Sequence, residues 1–156
     1  MKVRIFFVTL ILTLTFSHLF SCGNKETHSA TLPMPTELYA QIAQTVSLPD
    51  MLTLTAEELY DVIGIDPAWY TASAAYFSVN GTSPEEILIF LAVDETAADA
   101  LENALRTRLK YKQDSAAQYL TENLPMLNDG IVRRDGLTVS LLVCTDTETV
   151  SKLYRP

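Results

Sequence analysis

Residues 86–110 read EILIFLAVDETAADALENALRTRLK, a strand-length apolar run followed directly by a helical pattern. Glu86 to Val93 is apolar after its first residue, which is typical of a buried strand. From Asp94 onward, apolar residues recur at intervals of three and four, and Asp94 is a favourable N-cap. The sequence therefore predicts a central strand that leads into a long helix over residues 94–123, with an apolar stripe that includes Tyr119 and is broken at Lys112.

Upstream of this stretch, the sequence predicts two short helices and a further strand. Residues 36–47 have apolar residues at helical spacing. Thr55 and Glu58 match the capping box, and Gly64 can end a helix over residues 56–63 that turns Leu59, Val62 and Ile63 inward. Residues 70–79 have strand composition, and residues 80–84 (NGTSP) form a turn before the central strand.

Downstream, Asp135-Gly136 separates the apolar runs 131–133 and 137–144. This pair predicts a β-hairpin with a type I′ turn. Asp146 can then cap a final helix that carries Val150, Leu153 and Tyr154. The predicted fold is α+β: an antiparallel sheet of about four strands in two hairpins, a long helix across it, two short N-terminal helices and a C-terminal helix. Because the central strand is apolar on both faces, we expect cover on both sides of the sheet.

The first 21 residues have the features of an export signal. Lys2 and Arg4 precede an uncharged stretch, Ile5 to Phe20, of 16 residues. That length falls short of the roughly 20 residues that a membrane-spanning helix needs. We therefore expect residues 1–21 to be a signal peptide.

Residues 19–23, LFSCG, resemble the bacterial lipobox. The resemblance implies that Cys22 receives a diacylglyceryl group and becomes the first residue after cleavage, which anchors the protein to the membrane outside the cytoplasm. Phe20 departs from the usual small or β-branched residue at its position, so cleavage could be slower. An ordinary secretory signal with a coincidental Cys, or an uncleaved anchor, remains the alternative.

Composition sets the domain boundaries and the class of partner. Residues 22–35 are polar with two prolines and predict a flexible tether, which leaves 36–156 as a single domain. Cleavage before Cys22 would remove Lys2 and Arg4 and no acid, which takes the formal net charge from −8 to −10. Such a charge argues against nucleic-acid binding and against a polybasic membrane patch.

Three segments together resemble a known family. They are 59–66 (LYDVIGID), 83–90 (SPEEILIF) and 93–97 (VDETA), in that order behind the lipobox. The chain resembles domain of unknown function 4358 over about residues 36–153. The resemblance implies a small lipoprotein of a family found largely in clostridia, and it assigns no catalytic residues.

The residue inventory excludes several kinds of catalytic site. The only His after the signal segment is His28 in the tether, so the domain has no Ser-His-Asp or Cys-His site, although a Ser-Lys arrangement stays open. Cys144 lies in an apolar run and is expected to be an inert buried thiol. The sequence has neither the clustered Cys and His of a zinc site nor the spaced carboxylates of a calcium site. The adjacent acidic pairs 57–58, 85–86 and 94–95 are explained by their positions at helix and strand starts. We expect no cofactor.

Two groups of side chains remain as binding candidates. Arg106, Arg108, Lys110 and Lys112 form the basic cluster, and helical geometry places 106 with 110 and 108 with 112 on different sides of the axis. We interpret the cluster as a solvated helix face, with an anion site as the alternative. Trp69, Tyr70 and Tyr76 could line an aromatic ligand surface, although core packing is favoured.

The sequence thus predicts a lipid-anchored extracytoplasmic domain of unknown biochemical activity. A binding or interaction module for an envelope protein or a small ligand is favoured. The alternative is an envelope hydrolase or transferase that uses carboxylates or a Ser-Lys pair.

Overall fold

A computed structural model describes residues 32–154. The signal peptide, Cys22 and residues 23–31 of the tether lie outside these residues. The strands are β1 Met51–Thr53, β2 Tyr70–Ser78, β3 Glu86–Ala92, β4 Ile131–Asp135 and β5 Thr138–Val143. The α-helices are α1 Pro35–Thr45, α2 Ala56–Ile63, α3 Glu95–Tyr119, α4 Leu124–Asn128 and α5 Thr147–Ser151, with 3₁₀ turns at Pro67–Trp69, Thr121–Asn123 and Lys152–Tyr154.

The five strands form one antiparallel sheet in the order β1-β2-β3-β5-β4. The predicted α+β class, central strand and hairpins are confirmed, but the expected number of about four strands is corrected to five. The additional strand, β1, has three residues and pairs Met51 with Ser78 at the end of β2. A segment this short carries no alternating pattern, so only its tertiary pairing makes it a strand.

The β4–β5 hairpin forms where Asp-Gly predicted it, but the type I′ turn was wrong. Asp135 pairs with Thr138 across the hairpin, so Gly136 and Leu137 are the two loop residues. Gly136 has φ +57° and no described non-glycine residue has positive φ. A type I′ turn requires positive φ at both loop residues, whereas positive φ at the first alone is the type II′ pattern, which favours Gly there.

Both faces of the sheet are covered, as the apolar character of β3 predicts. On one face, Leu88 and Phe90 of β3 pack with Leu101 and Leu105 of α3. On the other face, the alternating β3 residues contact α1 and the C-terminal elements; this second core contains Leu38, Ile42, Ile87, Ile89, Val150 and Tyr154. The domain therefore has three layers with β3 in the middle.

Side-chain capping defines the helix boundaries that the sequence signals. Thr55 and Glu58 form the predicted capping box, and Gly64 ends α2 with φ +78°. The Asp94 side chain accepts from the Ala97 amide at 2.8 Å and caps α3.

Two apolar positions differ from the prediction. Val62 was expected inward and is 58% exposed, and Tyr119, expected in the buried stripe, is 78% exposed. Helix α3 ends at Tyr119 instead of residue 123, because the chain turns at Leu120 into a 3₁₀ turn. Within residues 32–154, none of the helices has the length and apolarity to span a bilayer.

Candidate functional site

The basic cluster on α3 divides into two pairs, as its helical spacing predicts. Arg106 pairs with Glu102 at 2.6 Å, and Lys110 pairs with Asp114, both on the exposed side of the helix. The interpretation as a solvated face is therefore confirmed for Arg106 and Lys110. It was wrong for Arg108 and Lys112, which turn toward the sheet.

Arg108 and Lys112 converge on the carboxylate of Glu86, whose side chain is only 1% exposed at the start of β3. Arg108 Nε donates to Oε1 at 3.0 Å, and its Nη2 donates to Oε2 at 3.2 Å. Lys112 Nζ donates to Oε2 at 2.6 Å and to the carbonyl of Pro84 at 2.7 Å. These contacts join the edge of α3 to the strand and explain why Lys112 interrupts the apolar stripe.

The three groups carry a net charge of +1. Of the seven basic side chains that the structure describes, the other five each pair with at least one carboxylate other than Glu86: Arg106, Lys110, Arg133, Arg134 and Lys152. Arg108 and Lys112 share one carboxylate. This is a local excess of positive charge in a strongly acidic chain.

The two cations line a small pocket of about 170 Å³ between the loop before β3 and the helix α3. The loop contributes Gly81 to Pro84, α3 contributes Tyr111 and Ser115 beside the cations, and Leu120, Asn123 and Leu127 complete the lining together with Ala116. Ligand sites for drug-sized molecules run from about 300 to 1,000 Å³. This pocket has room for one small polar group.

Hydrogen bonds inside the pocket wall determine which donors a ligand could meet. The Ser83 hydroxyl donates to Glu85, the Thr82 hydroxyl donates to Asn80 at 2.9 Å, and the Asn123 amide donates to the Thr82 carbonyl at 2.7 Å. No hydrogen bond within residues 32–154 uses the Tyr111 or Ser115 hydroxyl or Arg108 Nη1. The free donors are therefore on α3, next to the charge.

The hydrogen bonds of Lys112 suit anion recognition better than Ser-Lys chemistry. Ser83 and Ser115 share the pocket with Lys112. A general base needs a lone pair directed at the hydroxyl, whereas Lys112 donates to Glu86 and to a carbonyl. Charge-assisted donors around an open volume are instead the usual elements of carboxylate and phosphate recognition.

The predicted aromatic candidates do not form one surface. Trp69 and Tyr70 pack against the core on the α3 side, where Tyr70 lies 5.1 Å from Phe90 between ring centroids. Tyr76 packs on the opposite face, stacked on Tyr39 at 3.6 Å. The favoured interpretation as core packing is confirmed for these three residues.

Cys144 is 2% exposed, directly after β5. Burial raises the pKa of its thiol, and the Thr147 hydroxyl lies 3.8 Å from Sγ. The expected burial of this thiol is confirmed, and its low reactivity, which follows from burial and a raised pKa, stays a prediction. Within residues 32–154 there is no cluster of three or more His, Cys, Asp or Glu side chains that could hold a metal ion.

A family model described as Domain of unknown function (DUF4358) matches residues 44–144, more than half of the chain. The chain belongs to this family. Comparisons with curated proteins and with solved structures give no match. The resemblance inferred from three segments is thereby confirmed, while the lipoprotein character that accompanied it stays a prediction.

The DUF4358 match includes all five strands, the long helix and the whole pocket with Glu86, Arg108 and Lys112. It omits most of α1 and all of α5. The candidate site is thus a feature of the matched segment, whereas these two helices, which cover the opposite face of the sheet, lie largely beyond it.

Glu86 is the site residue that sequence reasoning missed. The pair Glu85-Glu86 was explained by its position at a strand start, and this was wrong for Glu86, which is buried against two cations. The available signal was a double irregularity: an acid opening a buried strand, and Lys112 within an apolar helical stripe. Two opposite charges at buried positions predict each other, because neither is stable there alone.

Proposed function

We propose that this DUF4358 protein is a lipid-anchored extracytoplasmic binding module of the bacterial cell envelope, and that its pocket binds an anionic group. One observation carries the proposal: the two cationic side chains that line an open pocket share a single buried carboxylate. The ligand class that follows is a carboxylate or phosphate group small enough for about 170 Å³.

Stability alone is a poor explanation for this arrangement. A buried ion pair contributes little net stability, because removing both groups from water offsets their attraction. One Arg would neutralise Glu86, and the second cation, Lys112, is desolvated without a second carboxylate to balance its charge. An arriving anion supplies the missing negative charge, and Arg108 Nη1 remains as a donor for it.

The surface charge supports an acyl anchor over an electrostatic one. The chain has 19 acidic and 11 basic residues, which disfavours adsorption to anionic lipid. The lipobox-like segment that ends at Cys22 supplies the alternative, a diacylglyceryl group on the cysteine. The polar residues 23–35 would hold the domain roughly 20 Å from the bilayer.

The anchor is tested by metabolic labelling with an alkynyl fatty acid in the producing bacterium. Wild-type protein should take up the label and sediment with membranes, whereas Cys22→Ala should be unlabelled. Equal labelling of both proteins would exclude Cys22 as the lipidation site. Cys144→Ala is the matched control, because its thiol is buried in the fold.

The binding site is tested by following backbone amide resonances during titration with acetate, with neutral acetamide as the ligand control. Acetate should shift residues of the loop 81–84 and of α3 around Arg108, and acetamide should not. Arg108→Gln should abolish these shifts, whereas Arg106→Gln, the same substitution on the exposed face, should retain them. Shifts that are scattered over the surface, or that survive Arg108→Gln, would contradict the proposal.

A further inference from the structure

A second groove adjoins the anion pocket. It holds about 320 Å³ and is lined by Val62 and Ile63 of α2 and by Thr107, Arg108 and Tyr111 of α3. Arg108 and Tyr111 line both volumes, so the groove and the pocket lie against the same two side chains. A ligand held by Arg108 could therefore extend into the groove.

The groove is bordered by apolar side chains that the fold leaves in solvent. Val62 is 58% exposed and Tyr111 is 66% exposed, while Ile63 is partly buried against the core. Single exposed apolar residues are common on protein surfaces. Here two of them face one groove beside a positive charge, which is complementary to a ligand that has an anionic end and an apolar body.

We infer that the ligand is the carboxyl terminus of a peptide whose last side chain is apolar, an inference that rests on the proposed function. The α-carboxylate would lie at Arg108 and Lys112, and the terminal side chain in the groove. At about 320 Å³ the groove is at the lower end of the range for drug-sized ligands, and its lining includes the polar Thr107. That favours one amino-acid side chain over a long acyl chain, and the Ser115 hydroxyl is available to the peptide backbone.

The test uses the full-length chain in lipid nanodiscs and ligand-observed NMR titrations, with empty nanodiscs as the blank. The ligands are N-acetylglycine, N-acetylleucine, N-acetylleucinamide and hexanoate. N-acetylleucine should bind about tenfold more tightly than N-acetylglycine, because its side chain is partly buried. N-acetylleucinamide should bind at least about tenfold more weakly than N-acetylleucine, because it lacks the carboxylate.

A variant pair locates the apolar contact. Val62→Ser should remove most of the difference in affinity between N-acetylleucine and N-acetylglycine, and it should leave the affinity for N-acetylglycine unchanged. Val79→Ser is the matched control, since Val79 is similarly exposed, at 53%, and lines neither volume. An equal loss in both variants would contradict the assignment of the groove.

The outcomes separate this inference from the proposed function. Equal affinity for N-acetylglycine and N-acetylleucine would overturn the groove and leave the anion site standing. Tighter binding of hexanoate than of N-acetylleucine would overturn the peptide assignment in favour of a fatty carboxylate. Absence of binding by every carboxylate would overturn both the inference and the proposed function.

Discussion

Substitution of Glu86 by Gln tests how the buried Glu86 carboxylate and its two partly buried cations hold the domain together. Glutamine keeps the volume of the side chain and one carbonyl oxygen, but it removes the charge that Arg108 and Lys112 share. The contacts affected are those from Arg108 to Oε1 at 3.0 Å and to Oε2 at 3.2 Å, and that from Lys112 to Oε2 at 2.6 Å. Two cations would then face each other without a counter-ion.

The magnitude follows from burial. Removal of one partner from a buried ion pair typically costs about 3–5 kcal/mol. Arg108 and Lys112 are 20% and 17% exposed, so they recover part of their hydration. We therefore expect Glu86→Gln to lower the free energy of unfolding by about 2–4 kcal/mol. Lys112→Gln leaves Glu86 paired with Arg108 and should lower it by only about 1–2 kcal/mol.

Urea unfolding followed by circular dichroism measures both variants against wild type. The unfolding midpoint should shift with an unchanged slope, which is the signature of a stability change in a two-state domain. The result that refutes the reasoning is a Glu86→Gln protein within about 0.5 kcal/mol of wild type, or a larger loss in Lys112→Gln than in Glu86→Gln.

Three further predictions concern other parts of the fold. Burial raises the pKa of Tyr154 to about 12. Because the hydroxyl of the unfolded chain has a pKa near 10, the free energy of unfolding should fall as the pH rises from about 10 to 12. Urea unfolding at several pH values should show this fall in wild type and a smaller one in Tyr154→Phe. The Cys144 thiol should react with iodoacetamide at pH 8 at least about a hundredfold more slowly in the folded protein than in urea, and equal rates would contradict its burial. Gly64→Ala should destabilise by about 1 kcal/mol in the same assay because Gly64 has φ +78°, whereas Gly81→Ala, which has open space and no positive φ, should be neutral.

The elements that the sequence predicted well are those with strong local signals. The continuous apolar run after Glu86 and the periodic stretch after Asp94 predicted β3 and α3. Caps at Thr55 and Asp94 placed two helix starts correctly. Such signals act over a few residues, so they are visible without knowledge of the fold.

The elements that were missed depend on contacts between distant parts of the chain. Strand β1 exists through its pairing with β2, and Val62 is exposed because α2 turns its Leu59 side, and not Val62, into the core. The ion pair between Glu86 and Lys112 joins residues 26 positions apart. The position of Glu86 at a strand start was a sufficient local explanation, and only the packing of α3 on β3 identifies Glu86 and Lys112 as partners.

The most direct test of the anion site is the acetate dissociation constant across a charge series. Glu86→Gln, wild type and Lys112→Gln give formal site charges of +2, +1 and 0, and Lys110→Gln is the control with the same overall charge as Lys112→Gln. If the pocket is an anion site, Glu86→Gln should bind acetate most tightly and Lys112→Gln should bind it at least about fivefold more weakly than wild type. Lys110→Gln should bind acetate as wild type does. Equal dissociation constants in Lys112→Gln and Lys110→Gln would contradict it, because acetate would then respond only to the overall charge of the protein.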